Sequence, residues 1–342
     1  MNLPPLQYLD VKNKRVLLRL DLDVTIDKDT DKDSTGDDFR LRASVTTIKY
    51  LIEHECKQIV VLGHKGRPNG LSASLSLRPV GDALMEILKE ELGEETVNKG
   101  HIFVRENLRF DEGEEKNDIN FAKELAKQGD VYINDAFGSS HREQASIVAL
   151  PEVMQSKSKS KNVAAGFHLV EEVRALSKVL TNPKEPVVFV IGGGKMDKAF
   201  LIDKLLDRAD WVLVGGVLPQ KTKSYCREKD GKACVVAALL GSNKEDITPD
   251  SAKNFTEVIK RAGTIVWNGP MGDVDRGYWD GTQIIAESIA NSKGYKVVGG
   301  GDTIKALKEL NLVERMDYVS TGGGAMLQFI AKGDLPGLKA LR

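Results

Sequence analysis

The sequence predicts an α/β fold made of two doubly wound, Rossmann-like parallel-sheet domains joined by a hinge helix. Short runs rich in β-branched residues alternate along the chain with stretches in which apolar residues recur at helical spacing. Strands that alternate with helices form βαβ units, whose parallel sheets are covered by helices on both faces. A length of 342 residues suits about two domains of roughly 100–200 residues each.

The alternation is clear in both halves of the chain. In the first half, the predicted strands are Arg15–Leu20, Gln58–Leu62, a strand near Phe103 and Val131–Ile133, with helical spacing from Leu41 to Ile52 and from Val80 to Leu88. In the second half, short β-rich runs bounded by glycine are Val187–Ile191, Trp211–Val214, Thr264–Trp267 and Lys296–Val298. The same pattern on both sides of the middle favours two similar domains.

A domain boundary is predicted near the middle of the chain. The polar segment Gln155–Lys161 is expected to be a solvated loop, and the helical stretch Phe167–Leu180 ends at prolines 183 and 186. We therefore expect a first domain at 1–167, a hinge helix and linker at 168–183, and a second domain at 184–330.

Composition excludes several classes of protein. Hydrophobic residues make up 41% and charged residues 29%, which is typical of a globular chain. The net charge of −1 gives no general attraction to nucleic acid or membranes, and we expect neither as a partner. Neither a signal peptide nor a run of about 18 apolar residues is visible. Three scattered cysteines without a CxxC pair argue against a disulfide framework or zinc site and favour a reducing cytoplasm.

The acidic insert at Asp27–Asp38 has some features of a calcium-binding loop. Asp31, Asp33, Thr35 and Gly36 stand in suitable order, but Arg42 occupies the position that needs a bidentate glutamate. We therefore favour an exposed loop or hairpin.

Three glycine triplets in the second half predict phosphate binding. They are Gly192–Gly194, Gly299–Gly301 and Gly322–Gly324, and each follows a β-rich run and precedes a helical pattern. A glycine turn into a helix N-terminus presents free N–H groups and the positive end of the helix dipole. Neither a Walker A loop nor a dinucleotide fingerprint fits, because Phe189, Met196 and Asp197 stand at positions that those motifs reserve for other residues.

Cationic residues follow the predicted strands of the first half. They are His64, Arg67, Arg109 and Arg142, with Arg40 opening the helix after the acidic insert. Ligands of open parallel sheets bind at the carboxyl ends of the strands, and guanidinium groups bind carboxylate and phosphate in bidentate fashion. Any one of these arginines alone could form a surface salt bridge, but as a set they predict a site for an anionic substrate.

An anion site on one domain and a phosphate site on the other suggest phosphoryl transfer. That chemistry requires in-line positioning, a metal ion on the phosphates and positive charge near the transferred group. Closure about the hinge would exclude the water that otherwise hydrolyses the donor.

The motifs of this chain resemble those of the phosphoglycerate kinase family. In the family's order they are KRVLLRLDLDV, GHKGRP, ENLRF, DVYINDAFGSSHR, AAGF, VIGGGK, TIVWNGPMG, GGGDT, VSTGGGA and the terminal LPGLKAL. The resemblance implies a reversible, Mg²⁺-dependent glycolytic transfer between 1,3-bisphosphoglycerate and ADP, which gives 3-phosphoglycerate and ATP. It also implies a phosphotransferase with a carboxyl acceptor, a hinge-bending monomer, and a C-terminal segment, 331–342, that returns to the first domain.

The resemblance also implies roles for individual residues. Substrate binding falls on Asp21, Asp23, Arg40, His64, Arg67, Arg109 and Arg142. Nucleotide binding falls on Gly193, Gly194, Lys195, Lys198, Asn268, Gly269, Asp275, Gly301, Asp302 and Thr303, with Asp302 as the Mg²⁺ ligand. Catalytic roles fall on Arg40, Lys195, Gly323 and Gly324.

Several residues depart from the family's pattern. Asp23 stands where asparagine is usual, Asp275 replaces glutamate, and Met326 replaces a serine or threonine. One residue rather than two separates Lys195 from Asp197. The stretch between Gly216 and Thr264 is shortened, so the sequence leaves open the choice between adenine and guanine nucleotides.

Two other functions fit the sequence. The shortened second domain and Asp23 are compatible with a catalytically silent descendant that binds nucleotide or phosphoglycerate. A kinase for a different acid, which forms another acyl phosphate on a similar scaffold, is the third possibility.

Overall fold

The computed structural model describes residues 2–26, 38–157, 162–228 and 232–342. The acidic insert, apart from Asp38, and residues 158–161 of the polar segment lie outside the described residues. The chain divides into two compact units, one formed by Met1–Arg174 with Asp334–Arg342 and the other by Ala175–Gly333. Each unit contains a mainly parallel sheet, which confirms the α/β class with two parallel-sheet domains.

The first unit is built on a five-stranded parallel sheet. Its strands are β1 (Arg15–Arg19), β2 (Gln58–Leu62), β3 (Ile102–Val104), β4 (Val131–Asn134) and β5 (Val163–Ala165), in the order β3-β2-β1-β4-β5. Its helices are α1 (Asp38–Arg42), α2 (Val45–Glu53), α3 (Arg78–Leu92), α4 (Glu94–Lys99), α5 (Glu112–Glu115), α6 (Ile119–Ala126) and α7 (Ala149–Ser156). Helix α8 (Phe167–Thr181) contains the division between the units, whereas the sequence predicted limits at 167 and 184.

Two local elements differ from the sequence-based expectation. The helical spacing between Leu41 and Ile52 belongs to two helices, α1 and α2, because the hydroxyl of Ser44 donates to Leu41 O at 2.7 Å and interrupts the first helix. The polar segment expected to be a loop from Gln155 begins inside α7, which continues to Ser156.

The second unit is built on a seven-stranded sheet. Its strands are β6 (Val187–Ile191), β7 (Trp211–Val214), β8 (Tyr225–Glu228), β9 (Lys232–Ala237), β10 (Thr264–Asn268), β11 (Tyr295–Gly299) and β12 (Tyr318–Ser320), in the order β12-β11-β10-β6-β7-β9-β8. Its helices are α9 (Ile202–Leu206), α10 (Pro249–Ile259), α11 (Asp280–Asn291), α12 (Gly301–Glu309) and α13 (Gly323–Lys332). Strand β8 is antiparallel to β9, and the other pairs are parallel.

Short 3-10 helices connect several of these elements. They are Leu6–Tyr8, Ala73–Leu75, Leu108–Phe110, Met196–Leu201, Leu218–Gln220, Val274–Arg276 and Val313–Arg315.

No helix within the described residues is long and apolar enough to cross a membrane.

The hairpin of β8 and β9 corrects the expectation about cysteines. Cys226 and Cys234 are directly opposite each other in the antiparallel register and form a disulfide. The expectation was wrong because a separation of 8 residues does not reveal cross-strand register. Cys56 is a buried free thiol, and burial raises its pKa to about 11.

Each sheet packs a set of alternate strand residues against helices. In the first unit, Val16, Leu18 and Val61 belong to one buried cluster with Ile48 of α2 and Leu84 of α3. In the second, the corresponding cluster joins strand residues such as Val190 and Trp267 to apolar residues of α10 and α11. Full burial of one such aliphatic side chain contributes about 1.5–3 kcal/mol, so these clusters supply much of the stability of each unit.

The C-terminal segment belongs to the first unit. Helix α14 (Pro336–Lys339) follows Gly333, at which α13 ends with a φ of +77°. Gly337 N donates to Ser140 O at 2.9 Å, and the side chain of Gln155 donates to Ala340 O at 3.1 Å. The last residues therefore pack on the loop after β4 and on α7.

Leu338 tests whether this segment stabilises the first unit. Its side chain is fully buried, whereas the adjacent Lys339 is exposed. Leu338→Ala is expected to lower the free energy of unfolding by about 2–5 kcal/mol, measured by urea denaturation, because it leaves a cavity. The matched control Lys339→Ala should stay within about 0.5 kcal/mol of the wild type. Equal stabilities for the two variants would contradict the packing described here.

Candidate active site

The first unit gathers its candidate residues at one edge of the sheet. Because β3, β2, β1 and β4 are parallel neighbours, the loops that follow them begin at the same edge. The loop after β1 carries Asp21 and Asp23, and the loop after β2 carries His64 and Arg67. The segments after β3 and β4 carry Arg109 and Arg142, so the four cationic residues singled out in the sequence follow three strands of one parallel sheet.

The carboxylates of Asp21 and Asp23 accept hydrogen bonds from other residues of the first unit. The carboxylate of Asp21 accepts hydrogen bonds from Gly138 N at 2.6 Å and Ser139 Oγ at 2.5 Å. The carboxylate of Asp23 accepts one from Gly66 N at 2.8 Å, and its backbone carbonyl accepts one from Arg40 Nη1 at 2.7 Å. The additional charge of Asp23 is therefore paired with a backbone amide.

Arg109 is buried beneath the loop after β2. Only 2% of its side chain is exposed, and its guanidinium donates to Gly66 O at 2.5 Å and lies 3.3 Å from a carboxylate oxygen of Glu115. With its amide oxygen turned toward the guanidinium, Gln144 accepts from Arg109 Nη2 at 2.9 Å. Burial first, and then the charge of Arg142, lowers the pKa of Arg109.

His64 is buried among positive charges. His64 is 4% exposed, and its Nδ1 lies 2.8 Å from Nη2 of Arg19. Burial, followed by the charges of Arg19, Arg109, Arg142 and His141, lowers the pKa of His64 well below its ordinary value. A neutral ring among mutually repelling cations is suited to receive an anion, because an anion relieves the repulsion.

The remaining candidates of this unit are more accessible. Arg67 is exposed in the loop after β2, and Arg142 is half-buried after β4. Arg40 is half-buried in α1 and is attached to the backbone of Asp23.

Sequence reasoning missed Arg19, which is fully buried at the end of β1. The available signal was an arginine next to the end of the apolar run Val16–Leu20. A charge in a strand that is buried on both faces requires a partner, and the structure supplies Ser146 and His64.

The glycine loop after β6 packs tightly on the loop after β10. Gly193 N donates to Pro270 O at 2.7 Å, and a Cβ on Gly192 would lie 2.2 Å from the same oxygen. Gly193 also has a φ of +88°, which side chains rarely adopt. Gly194 is exposed, and a Cβ there would meet nothing within 4 Å.

Lysines 195 and 198 differ in their surroundings. Lys195 is exposed directly after the glycine loop. Lys198 is half-buried in the 3-10 helix Met196–Leu201, and its Nζ donates to Gly192 O at 2.9 Å. Lys198 therefore holds the loop while Lys195 extends from it.

The side chain of Asn268 connects two of the three glycine loops of the second unit. Asn268 is 1% exposed, and its Nδ2 donates to Gly299 O at 2.8 Å and to Gly323 O at 3.2 Å. The next residue, Gly269, donates from N to Thr303 Oγ1 at 2.7 Å. Asn268 and the buried Thr303 hold the loops in register.

Two helices begin at these loops with accessible residues. Helix α12 begins at Gly301 after Gly300, whose φ is +102°, and Asp302 is exposed in its first turn. Helix α13 begins at Gly323, where a Cβ would lie 2.6 Å from Gly300 Cα. Gly324 is exposed with nothing within 4 Å of an added Cβ. The free N–H groups of both helix starts favour an anion.

Asp275 forms an ion pair with Lys305 of α12 at 2.9 Å. Both belong to the second unit, and Asp275 is exposed in the 3-10 helix Val274–Arg276.

Asp302 suits a magnesium ion that is bound mainly by phosphates. No group of three or more His, Cys, Asp or Glu side chains that could hold a metal occurs in the part of the chain that the structure describes. Mg²⁺ commonly uses one or two carboxylates together with substrate phosphates and water. An exposed carboxylate beside two helix N-termini fits that mode of binding.

Comparison with known proteins identifies the family. The phosphoglycerate kinase family model matches residues 6–223 and 220–333. A phosphoglycerate kinase of Coprothermobacter proteolyticus is 34% identical over 400 aligned positions, which cover 100% of this chain and 99% of that protein. One from Pseudothermotoga lettingae is 34% identical over 395 aligned positions, which cover 97% of this chain and 97% of that protein.

Solved structures give the same result. The structure of a phosphoglycerate kinase from Coxiella burnetii matches with a TM-score of 0.74 and 29% sequence identity, and the match covers 99% of each chain. One from Pyrococcus horikoshii has a TM-score of 0.77 and 27% identity, with 98% of both chains covered.

The comparisons also bear on the shortened stretch in the second unit. The alignment with the Coprothermobacter protein has 400 positions, which exceeds the 342 residues of this chain by 58. The two segments of the family match meet at residues 220–223, immediately before the β8–β9 hairpin. With sequence, fold and strand-end motifs in agreement over nearly its whole length, this chain belongs to the phosphoglycerate kinase family.

Proposed function

We propose that this chain catalyses reversible, Mg²⁺-dependent phosphoryl transfer between 1,3-bisphosphoglycerate and ADP, giving 3-phosphoglycerate and ATP in glycolysis. It would thus be a phosphotransferase with a carboxyl group as acceptor. The observation that carries the proposal is the buried, neutral His64 ring among the charges of Arg19, Arg109 and Arg142 in the first unit. It occurs in a chain whose second unit holds two of its three glycine loops together through the side chain of Asn268.

On the acceptor side, we assign binding of 3-phosphoglycerate to the cationic residues. The substrate carries a carboxylate and a phosphate, and Arg67, Arg109 and Arg142 suit both groups. Asp21 and Asp23 act by fixing the loops that carry these residues, since their carboxylates already accept backbone hydrogen bonds. Arg40, attached to Asp23 O, is proposed to stabilise charge on the transferred group.

On the donor side, we assign the nucleotide phosphates to the glycine loops. Lys195 would follow the transferred phosphoryl group, and the N–H groups at Gly323 and Gly324 would bind its oxygens. Gly193, Lys198, Asn268, Gly269 and Thr303 shape the loops, as their contacts indicate. Asp275, held by Lys305, is the candidate for the ribose.

The chemical step requires positioning and charge rather than a base. In the direction of acyl phosphate formation, a carboxylate oxygen of 3-phosphoglycerate forms a bond to the γ-phosphorus while the bond to the bridging oxygen breaks and ADP leaves with the electron pair. The carboxylate is already deprotonated near neutral pH, so no proton has to be removed. Mg²⁺, held by Asp302, would neutralise charge on the phosphates.

The two alternatives are separable from this proposal. A silent binding module would bind nucleotide or phosphoglycerate in calorimetry and show no turnover with both present; the family match and the named relatives do not favour it. A kinase for another acid would turn over a different carboxylate in a substrate panel with ATP and GTP.

We further propose a monomer that acts on small molecules in the cytoplasm, as expected for a glycolytic enzyme. Sedimentation of the purified chain tests whether it is a monomer. The redox state of Cys226 and Cys234 in cells tests the location.

Removal of Arg40 or Lys195 is expected to abolish most of the transfer. Arg40→Ala and Lys195→Ala should each lower turnover by about 10³–10⁵-fold, because positive charge at the transferred group is lost. A coupled assay with 3-phosphoglycerate and ATP measures the effect. Lys49→Ala and Lys204→Ala, exposed in the same units, should retain the wild-type rate. Full turnover in both of the first two variants would show that the assignments are wrong.

Alanine substitutions at Gly324 and Gly323 distinguish space that a ligand needs from space that is filled by the protein's own atoms. Gly324→Ala should keep wild-type stability, because the new Cβ meets nothing within 4 Å, yet lower kcat on the order of 10²-fold by displacing a phosphate. Gly323→Ala should destabilise by about 1–3 kcal/mol, because its Cβ would lie 2.6 Å from Gly300 Cα. Thermal unfolding and steady-state kinetics measure both. An unchanged kcat in Gly324→Ala would remove this residue from the site.

Asp302 tests the metal assignment. Chelation of Mg²⁺ should stop turnover, and Asp302→Asn should raise the half-saturating Mg²⁺ concentration by about 10–100-fold. Asp250→Asn, an exposed first-turn aspartate of α10, is the matched control and should leave the Mg²⁺ dependence unchanged. Identical Mg²⁺ titrations of Asp302→Asn and wild type would place the metal elsewhere.

A further inference from the structure

A chain of buried polar side chains runs from Glu114 to His64 inside the first unit. Glu114, Ser146 and Arg19 are fully buried, and His64 is 4% exposed. Arg19 Nε lies 2.8 Å from Ser146 Oγ, and Arg19 Nη2 lies 2.8 Å from His64 Nδ1. Ser146 Oγ lies 2.6 Å from Glu114 Oε1, so the four side chains are joined without a gap.

The donors and acceptors along this chain can be assigned from chemistry alone. A guanidinium has donors and no acceptor, so both Ser146 Oγ and His64 Nδ1 must accept hydrogen bonds from Arg19. The single hydroxyl hydrogen of Ser146 is then directed to Glu114 Oε1. The other carboxylate oxygen of Glu114 accepts from Ser146 N at 2.9 Å.

The assignment determines the form of the histidine ring. If Nδ1 accepts a hydrogen bond, it carries no proton, and the neutral ring carries its hydrogen on Nε2. Nε2 has no hydrogen-bond partner among the residues that the structure describes, so its N–H remains available to a ligand. A third donor of Arg19 is used as well, since Arg19 Nη1 donates to Leu20 O.

We propose that Glu114, Ser146 and Arg19 are positioning residues that fix His64 as the neutral Nε2–H tautomer, which donates a hydrogen bond to the anionic substrate. This inference rests on the proposed function, because it takes His64 as a substrate ligand. Arg19, Arg109 and Arg142 already supply positive charge around the ring, together with the neighbouring His141. A neutral donor adds direction without adding repulsion, and it keeps the same form across the neutral pH range.

Burial of the guanidinium is tolerated because the chain ends on a carboxylate. An isolated buried charge is costly, whereas one that is hydrogen-bonded and compensated is not. Loss of Glu114 should therefore be transmitted to His64 through Ser146 and Arg19. Glutamine at position 114 replaces one of the two carboxylate oxygens with an NH2 donor, so the present hydrogen bond from either Ser146 N or Ser146 Oγ is lost.

The experiment measures the tautomer and protonation state of the His64 ring by NMR in the full-length protein. Histidine is labelled with ¹⁵N, and the long-range ¹H–¹⁵N spectrum is recorded between pH 5.5 and 8, with His64→Gln used only for assignment among the five histidines. The wild type should show a neutral Nε2–H ring at pH 7 that stays neutral at pH 5.5. Addition of 3-phosphoglycerate should shift the Nε2 resonance.

Two variants break the chain at different points. In Arg19→Gln, the ring should become a mixture of tautomers and gain a proton as the pH falls toward 5.5, because the positive charge beside Nδ1 is lost. In Glu114→Gln, Arg19 keeps its charge but loses its alignment, so the ring should become a mixture of tautomers and stay neutral. The KM for 3-phosphoglycerate should rise about tenfold, as expected for a hydrogen bond to a charged group, and the KM for ATP should stay unchanged. Arg15→Gln, on the same strand but paired with Asp130, is the matched control and should resemble the wild type.

The outcomes separate this inference from the proposed function. A wild-type ring with its proton on Nδ1 or on both nitrogens at pH 7 would overturn the inference, as would a folded Arg19→Gln with an unchanged ring spectrum. If Arg19→Gln does not fold, the wild-type and Glu114→Gln spectra decide. Failure of turnover with a correct ring spectrum would overturn the proposed function and leave the tautomer assignment intact.

Discussion

The parallel alignment of strands is the constraint on which the rest of both units depends. In a parallel sheet, every strand ends at the same edge, so the loops after successive strands meet there even when they are far apart in sequence. In the first unit this brings together residues that follow β1, β2, β3 and β4. In the second, the same constraint brings together the glycine loops after β6, β11 and β12, with Asn268 at the end of β10 connecting two of them. Strand β8, the antiparallel member, belongs to a hairpin rather than to this arrangement.

The two units offer an anion different surroundings. The first uses charged side chains, of which Arg19 and Arg109 are buried and therefore depend on acceptors within the protein. The second uses backbone N–H groups at helix starts, which carry only partial charge and need little compensation. Side-chain cations distinguish a particular arrangement of carboxylate and phosphate, whereas amide groups of glycine loops allow close approach of phosphate oxygens.

The shortened stretch of the second unit leaves the phosphate loops intact. The break in the family match at 220–223 lies between the glycine pair that follows β7 and the hairpin stabilised by the Cys226–Cys234 disulfide. Gly193 O accepts a hydrogen bond from Val217 N at 3.2 Å at the start of this stretch, but the hydrogen bonds of Gly193, Gly269 and Thr303 do not involve the β8–β9 hairpin. Because these contacts are independent of the hairpin, the loss of sequence there leaves the proposed phosphate site intact, and we expect its consequences to fall on the proposed nucleoside pocket.

The sequence by itself determined the α/β class, the position of most strands and the place of the glycine turns after them, because a strand's apolar run, a helix's periodicity and a glycine turn are local patterns. It missed the break at Ser44, because a single hydroxyl contact overrides the helical spacing around it. Only the tertiary structure decided that Cys226 faces Cys234, that Asn268 holds two other loops, and that Arg19 joins His64 to Ser146. The last two contacts span 45 and 127 positions, and contacts of that length depend on how whole strands are ordered in a sheet, which no local pattern encodes.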